Sequence, residues 1–269
     1  MREAGPQDHA VLLAFLQAHE ASSMFAMVNL QGLGVPMRVW VEGDPVAGMV
    51  GVTGDGMVLV QWPGGDWGAV ARALCGVAVT GLMGPADQVA AVRGVLDLGA
   101  ARHADEEPGF RLALDDLRLP DCAGYDLRPV ATDVLETVLR WRVAYEGEVF
   151  SVPAPEAAQK AARDVARWLA ADSHRVLWQR GEPVGLTGFN AVLPEVVQIG
   201  AVYVPPGQRG RGHARRAVGL HLAEARAGGV RRAVLFAASE AAERVYRALG
   251  FVAAGRMGIV LYGGPRVVA

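Results

Sequence analysis

Val204-Pro205-Pro206-Gly207-Gln208-Arg209-Gly210-Arg211-Gly212-His213-Ala214 is the stretch whose reading decides the fold. Residues 196–204, just before it, are dense in β-branched side chains and read as a strand. After it, Ala214, Ala217, Val218, His221, Leu222 and Ala225 recur at helical spacing. The segment is therefore a strand, a glycine-rich turn and the start of a helix. Pro205 and Pro206 have no backbone N–H and end the strand's ladder. Gly210 and Gly212 let the backbone curl with no Cβ in the way, which leaves several N–H groups pointing outward at a helix N-terminus. Arg209, Arg211, Arg215 and Arg216 add positive charge, and such a nest suits a phosphate or pyrophosphate. An ordinary strand-to-helix connection with a solvated arginine cluster would carry the same residues. A dinucleotide fingerprint fails here: Arg215 stands where the third glycine belongs, and no acidic residue follows about 20 positions on.

A second segment lies downstream at Ser239-Glu240-Ala241-Ala242-Glu243-Arg244-Val245-Tyr246-Arg247-Ala248-Leu249-Gly250-Phe251. Together the two segments resemble the GNAT superfamily of N-acetyltransferases. The family's pyrophosphate-loop signature, Gln/Arg-x-x-Gly-x-Gly/Ala, matches at Arg209 to Ala214. Its later Asn-x-x-Ala-x-Arg-x-Tyr-x-x-x-Gly-Phe pattern matches at Ser239 to Phe251, with Ser239 in place of the usual asparagine.

The resemblance implies an α/β fold with a mostly antiparallel, splayed mixed sheet flanked by helices, and acetyl-CoA as co-substrate. It places the coenzyme on Val202, Val204, Gln208, Arg209, Gly210, Arg211, Gly212, His213, Ala214, Ser239, Arg244 and Tyr246. Val202 and Val204 would pair their backbone with the pantetheine arm, as an added strand does. Tyr246 would donate a hydrogen bond to the coenzyme sulfur, although its helix face, shared with Ala242, Val245 and Leu249, equally suits core packing. An ordinary phenol, pKa about 10, is a weaker acid than a thiol near 8.5, so complete proton transfer is uphill by about 2 kcal/mol. Hydrogen bonding to the leaving thiolate is the expected role.

The acceptor amine must lose a proton before attack, which asks for a base or a water relay. Glu146 and Glu148 are the catalytic candidates, with Glu195 a further one just before the central strand. Gln198 is the alternative that would order a water. Trp141, Arg142, Tyr145 and Gln198 are the candidate acceptor-binding residues. A solvated carboxylate or a buried amphipathic helix would produce the same pattern, so the base stays unassigned.

The remaining chain bounds these readings. At 269 residues it has room for two domains, expected at 1–120 and 124–269 about a boundary near Leu119-Pro120-Asp121-Cys122-Ala123-Gly124. The first half runs in the same order of helices and strands. Its equivalent loop is Gln61-Trp62-Pro63-Gly64-Gly65-Asp66-Trp67, with no arginine and with Asp66 where a phosphate would be repelled. It reads as a degenerate second copy, an unrelated α+β domain being the alternative. Asp133 and Glu136 form a candidate capping box for the first helix of the second half.

A net charge of −2 argues against a general nucleic-acid surface. Cys75 and Cys122 lack a Cys-x-x-Cys spacing, and the six histidines lack metal spacing, so no metal is expected. With no signal-peptide layout and no apolar run of about 18 residues, a cytoplasmic, bacterial protein without membrane contact is expected, monomeric or homodimeric. The expected function is N-acyl transfer, acetyl from acetyl-CoA to a small-molecule or peptide amine, by direct attack in a ternary complex. The alternatives are a non-catalytic CoA-binding module and a nest for a free nucleotide.

Overall fold

A computed structural model describes all residues, 1–269, and the chain divides into two compact units. The first unit comprises Met1–Gly109 and Ala254–Ala269; the second is Phe110–Ala253.

In the first unit a short strand β1 (Arg2–Glu3) precedes helices α1 (His9–Ala18) and α2 (Glu20–Leu30). Residues 7 to about 34 read as helical from their apolar spacing; the helix breaks at His19, whose backbone leaves the helical region and whose ring Nδ1 donates to the Phe15 carbonyl at 2.9 Å. Strands β2 (Met37–Glu42) and β3 (Gly48–Thr53) form an antiparallel hairpin, and β4 (Met57–Gln61) pairs antiparallel with β3. Helix α3 (Trp67–Leu74) then crosses over to β5 (Ala78–Pro85), which runs parallel to β4, and α4 (Ala86–Leu96) follows. Trp40, Val50, Val58, Val70, Leu74, Leu82 and Val92 form the core between α3, α4 and the sheet. Strand β6 (His103–Ala113) starts seven residues before the apolar Phe110 that marks it in the sequence, because Asp105, Glu106 and Glu107 carry no strand signature.

The second unit opens on the end of β6 and continues with β7 (Tyr125–Pro129), α5 (Leu135–Phe150) and α6 (Ala154–Ala171). Antiparallel strands β8 (His174–Gln179), β9 (Glu182–Val192) and β10 (Val196–Tyr203) come next. Helix α7 (His213–Ala227), strand β11 (Arg232–Phe236) and helix α8 (Glu240–Leu249) complete it. The last strand, β12 (Val252–Val267), runs back into the first unit, where Met257 to Val267 pair with β5. The proposed capping box is absent: α5 begins after Val134, and neither Asp133 nor Glu136 caps it.

The compact units differ from the expected cut at 120/124 in two places. Residues 110–118 belong with the second unit, because Phe110, Leu112 and Leu114 alternate into one core with Val218, Leu222, Tyr246, Leu249 and Phe251. Backbone bonds fix the same segment, Leu114 N to Arg231 O at 2.8 Å and Arg118 N to Leu249 O at 2.9 Å. Residues 254–269 belong with the first unit, because Met257 to Val267 extend its sheet. The Pro- and Gly-bearing stretch at 119–124 is a connection inside the second unit.

Candidate functional site

Strands β10 and β11 are parallel neighbours over three positions only, Val196↔Arg232, Val197↔Ala233 and Gln198↔Val234. Beyond Gln198 the two strands part. Part of the cause lies on the other edge of β10, where four residues, Gly200 to Tyr203, span three on β9, Gly188 to Leu186. At the extra residue Ala201 takes φ of 52°, a left-handed conformation that costs a non-glycine residue roughly 1–2 kcal/mol. The bulge lies just past Gln198, the last position at which β10 pairs with β11.

The proline-bearing loop follows at the end of the splayed strand. Gln208 and Arg209 N–H groups turn back onto Pro205 O and Pro206 O. From Gly210 to Arg215 no backbone N–H has a protein acceptor, and the first internal bond of α7 is Arg216 N to Gly212 O at 3.2 Å. Gly210 at φ of 78° and Gly212 at 76° supply the left-handed turns that point these donors outward. Six N–H groups and the positive end of a fifteen-residue helix thus converge without an acceptor, the arrangement that binds an oxyanion. His213, at the first helical position, is buried with both ring nitrogens unpaired and stacks edgewise on Tyr125 at 5.6 Å. Burial first, then Arg211 and Arg216, hold its pKa below the ordinary histidine value, which keeps it neutral beside the nest.

The four arginines divide by task. Arg209 is tied down: Nε donates to Val204 O at 2.9 Å, and Nη2 reaches Glu148 Oε2 at 2.6 Å. Arg216 braces the other side, with Nε on Asp121 O at 2.8 Å, Nη1 on Arg211 O at 3.1 Å, and its guanidinium over the Tyr125 ring. Arg211 Nη1 donates to Gln208 Oε1 at 3.0 Å, and Arg215 Nε is left unpaired. Val204 therefore spends part of its carbonyl's accepting capacity on Arg209, and Val202 lies one step nearer the bulge.

Ser239 caps α8, its Oγ accepting from Ala242 N at 3.2 Å. Tyr246 is buried in the core under β10 and β11 and meets Phe251 edge-on at 5.9 Å. Arg244 lies on the surface with a long ion pair to Glu240 at 3.9 Å.

The acceptor-side candidates divide. Trp141 is buried against Tyr203, with ring centroids 6.3 Å apart, and Tyr145 packs edge-on to Phe150 at 5.9 Å. Arg142 joins a buried ion network between α5 and α6: its guanidinium holds Asp164 at 2.7 Å and pairs with Glu146, while Lys160 bridges Glu146 at 2.9 Å and Asp164 at 3.3 Å. Burial raises the Asp164 carboxyl's pKa, but Lys160, Arg142 and Arg167 outweigh it and lower the net value. Glu146, completely buried, gives Oε1 to two cations and leaves Oε2 without a partner. Glu148 is likewise engaged, accepting from Tyr203 Oη at 3.1 Å as well as from Arg209. Glu195 sits at the opposite end of β10 from the nest, paired with Arg232 at 3.3 Å. Gln198 is buried at the last position of the β10–β11 pairing.

The sequence reading missed Ala201 and Tyr203. A bulge built on alanine has no local signature, and Tyr203 looks like one more apolar strand residue until its hydroxyl finds Glu148.

The first unit repeats the strand pattern with a different filling. Strands β4 and β5 also pair over three positions, Met57↔Gly81 to Leu59↔Met83. Above them the space is closed: a Cβ on Gly84 would meet Val60 O at 2.4 Å, and the buried Trp62 N–H is taken by Gln88 Oε1 at 2.6 Å. Asp66 caps α3 through Gly68 N at 3.0 Å, so the helix terminus that holds the nest in the second unit is satisfied here by a carboxylate.

The acetyltransferase (GNAT) family model matches residues 135–251, which contain the splayed strands, the nest and the capped helix. The second unit thus carries a GNAT acetyltransferase domain. Over the full length its fold is that of tandem GNAT proteins. A tandem GNAT protein from the clavulanic acid biosynthesis pathway superposes with a TM-score of 0.59 at 17% identity, covering 96% of each chain. An acetyltransferase of the GNAT family from Colwellia psychrerythraea gives 0.56 at 13% identity, over 97% of this chain and 98% of the other. A Drosophila protein known from its X-ray structure gives 0.64 at 12% identity, with 97% of each covered. At these identities the likeness is one of fold. No curated protein matches the chain. No helix of the chain is long and apolar enough to cross a membrane.

Proposed function

We propose that the protein is an acyl-CoA-dependent N-acyltransferase that moves acetyl from acetyl-CoA to a primary amine by direct attack. One observation carries this reading: the unpaired N–H groups of residues 210–215 lie at the end of a strand that has parted from its parallel neighbour. A nest alone suits any phosphate. A nest continuous with an open strand edge suits a pyrophosphate that has a pantetheine arm attached, because the arm can add its amides to the free edge of β10. Residues 210–215 hold the pyrophosphate, Val202 and Val204 offer backbone to the arm, and the acyl sulfur comes to rest near Tyr246.

Tyr246 stabilises the leaving thiolate by hydrogen bonding, a donor placed where negative charge develops. The acceptor ammonium loses its proton to a water held by Gln198, since Glu146 and Glu148 are both committed to cations. The amine attacks the thioester carbonyl, the carbon–sulfur bond breaks, and the amine's second proton protonates the thiolate. The first unit, its equivalent cleft filled by its own side chains, serves as a non-binding copy.

The engagement of both carboxylates favours one rival, a GNAT-fold module that binds coenzyme A without turning it over. Thermal shift and a thiol-release assay with a panel of amines separate the readings. Acetyl-CoA at a hundred times its Kd should stabilise the second unit by about 2.7 kcal/mol, with no comparable effect of ATP or NAD. Tyr246→Phe should lower kcat about 10- to 100-fold and leave coenzyme A affinity within about threefold. A wild-type chain that binds coenzyme A but releases no thiol with any amine makes the binder reading the correct one.

A further inference from the structure

We propose that Glu148 is a positioning residue, a latch that fixes Arg209 and the splayed end of β10 so that the phosphate nest is formed before coenzyme A arrives. The inference rests on the acyl-CoA reading of the nest and assigns Glu148 a role other than the base its sequence position suggests.

Glu148 lies in the last turn of α5, where the helix dipole favours cations and works against a carboxylate. A carboxylate kept there needs compensation from outside the helix. Glu148 receives it from two directions, Tyr203 Oη at 3.1 Å on one oxygen and Arg209 Nη2 at 2.6 Å on the other. Both partners are remote in sequence and adjoin the site: Tyr203 is the last residue of β10, and Arg209 precedes the first free N–H of the nest. Arg209 closes the ring by donating Nε to Val204 O and laying its guanidinium over the Tyr203 ring at 5.6 Å. One carboxylate thereby holds three features in register: the strand end, the carbonyl that follows it, and the entrance to the loop.

The same geometry argues against Glu148 as the proton acceptor. Both of its oxygens already accept charge-assisted or hydroxyl hydrogen bonds, so an approaching ammonium competes with Arg209 for the same carboxylate.

Glu148→Gln tests the latch, because the amide keeps the shape and removes the charge. The Arg209–Glu148 pair is about half exposed, so the expected effect is modest. KM for acetyl-CoA and Kd for coenzyme A should rise together by about three- to fivefold, with kcat within about twofold. Tyr203→Phe, which deletes only the hydroxyl, should move the same constants in the same direction by less, and gives the reading if Glu148→Gln folds poorly. A loss of kcat of about a hundredfold with KM unchanged, together with loss of the acid limb of the pH–rate profile, would make Glu148 the base and overturn the proposal.

A readout that needs no coenzyme keeps this result separate from the acyl-CoA reading. Trypsin must take Arg209 into its specificity pocket to cut before Gly210, and the latch withholds that guanidinium. In Glu148→Gln, cleavage after Arg209 should accelerate several-fold relative to cleavage after Arg180 in the β8–β9 turn. Unchanged cleavage there, with unchanged affinity, removes the latch. Faster cleavage in a chain whose wild type binds no coenzyme A keeps the latch and removes the coenzyme.

Discussion

Gly212 holds φ at 76° at the point where α7 begins, and a Cβ added there would come within 2.8 Å of Arg216 Nη1. Arg216 is the brace on Arg211 O, so the new methyl group meets both backbone strain and a side chain already in use. Gly212→Ala should cost about 1–2 kcal/mol of stability in urea titrations and should weaken coenzyme A binding more than Ala214→Gly does. Equal affinities in the two variants would show that the nest does not contact the ligand. At this scale the sequence was legible where chemistry is written into residue type. Gly210 and Gly212 are needed because only glycine takes such φ values freely, and Pro205 and Pro206 because they end a ladder. It was opaque where a side chain's task depends on a remote partner. Glu146 and Glu148 differ by two positions, yet one is buried against Lys160 and the other reaches Arg209, and no local pattern separates them.

Helix α8 shows how an element inherits its start from a single oxygen. Ser239 Oγ accepts from Ala242 N, and the helix ends on Gly250 at φ of 105°. Ser239→Ala should destabilise the second unit by about 1 kcal/mol, whereas Ser239→Asn, an equally good cap, should be close to neutral. Chemical denaturation of both variants checks this, and equal losses would show that the hydroxyl does something other than cap. Most elements were readable because period and punctuation agreed: β4 between turn residues, α8 between serine and glycine. The failures have physical causes. The break at His19 replaces a helical turn with a side-chain-to-backbone bond, and β6 begins in an acidic run because strand pairing overrides residue preference. The parting of β10 from β11 was expected from the family likeness; Ala201, at the bulge in β10, carries no turn signature.

The two units should answer acidification in opposite senses. His221, buried in the second unit and stacked on Phe189, is held by burial and then by Arg175 at a pKa of about 3, and burial pushes His174 well below the ordinary value too. Between about 6.5 and 3 the unfolded chain takes protons that the folded unit refuses, so stability falls as pH drops through that window. Glu107, in the first unit, is raised by burial and then by Asp105 to about 7. From 4.5 to 7 the folded unit keeps a proton that the unfolded chain has released, so its stability rises as pH drops. Asp8 and Asp164, both lowered, lose their contributions only below this range. Calorimetry at pH 7 and pH 5 should show the two transitions moving apart, with His221 alone costing the second unit roughly 2 kcal/mol. His221→Phe should flatten that loss, and transitions that shift together would contradict the assignment. The boundary at 119–124 was misread at this scale because composition marks exposed connections and is silent on which strand a sheet borrows.

That borrowing sets an order on synthesis. A nascent chain releases residues 110–113 ahead of everything else in the second unit, so this half can close as it leaves the ribosome. The first half is made before it yet waits longer, its β5 edge bare until residues 254–267 emerge behind the second unit. The half made first is therefore the half completed last.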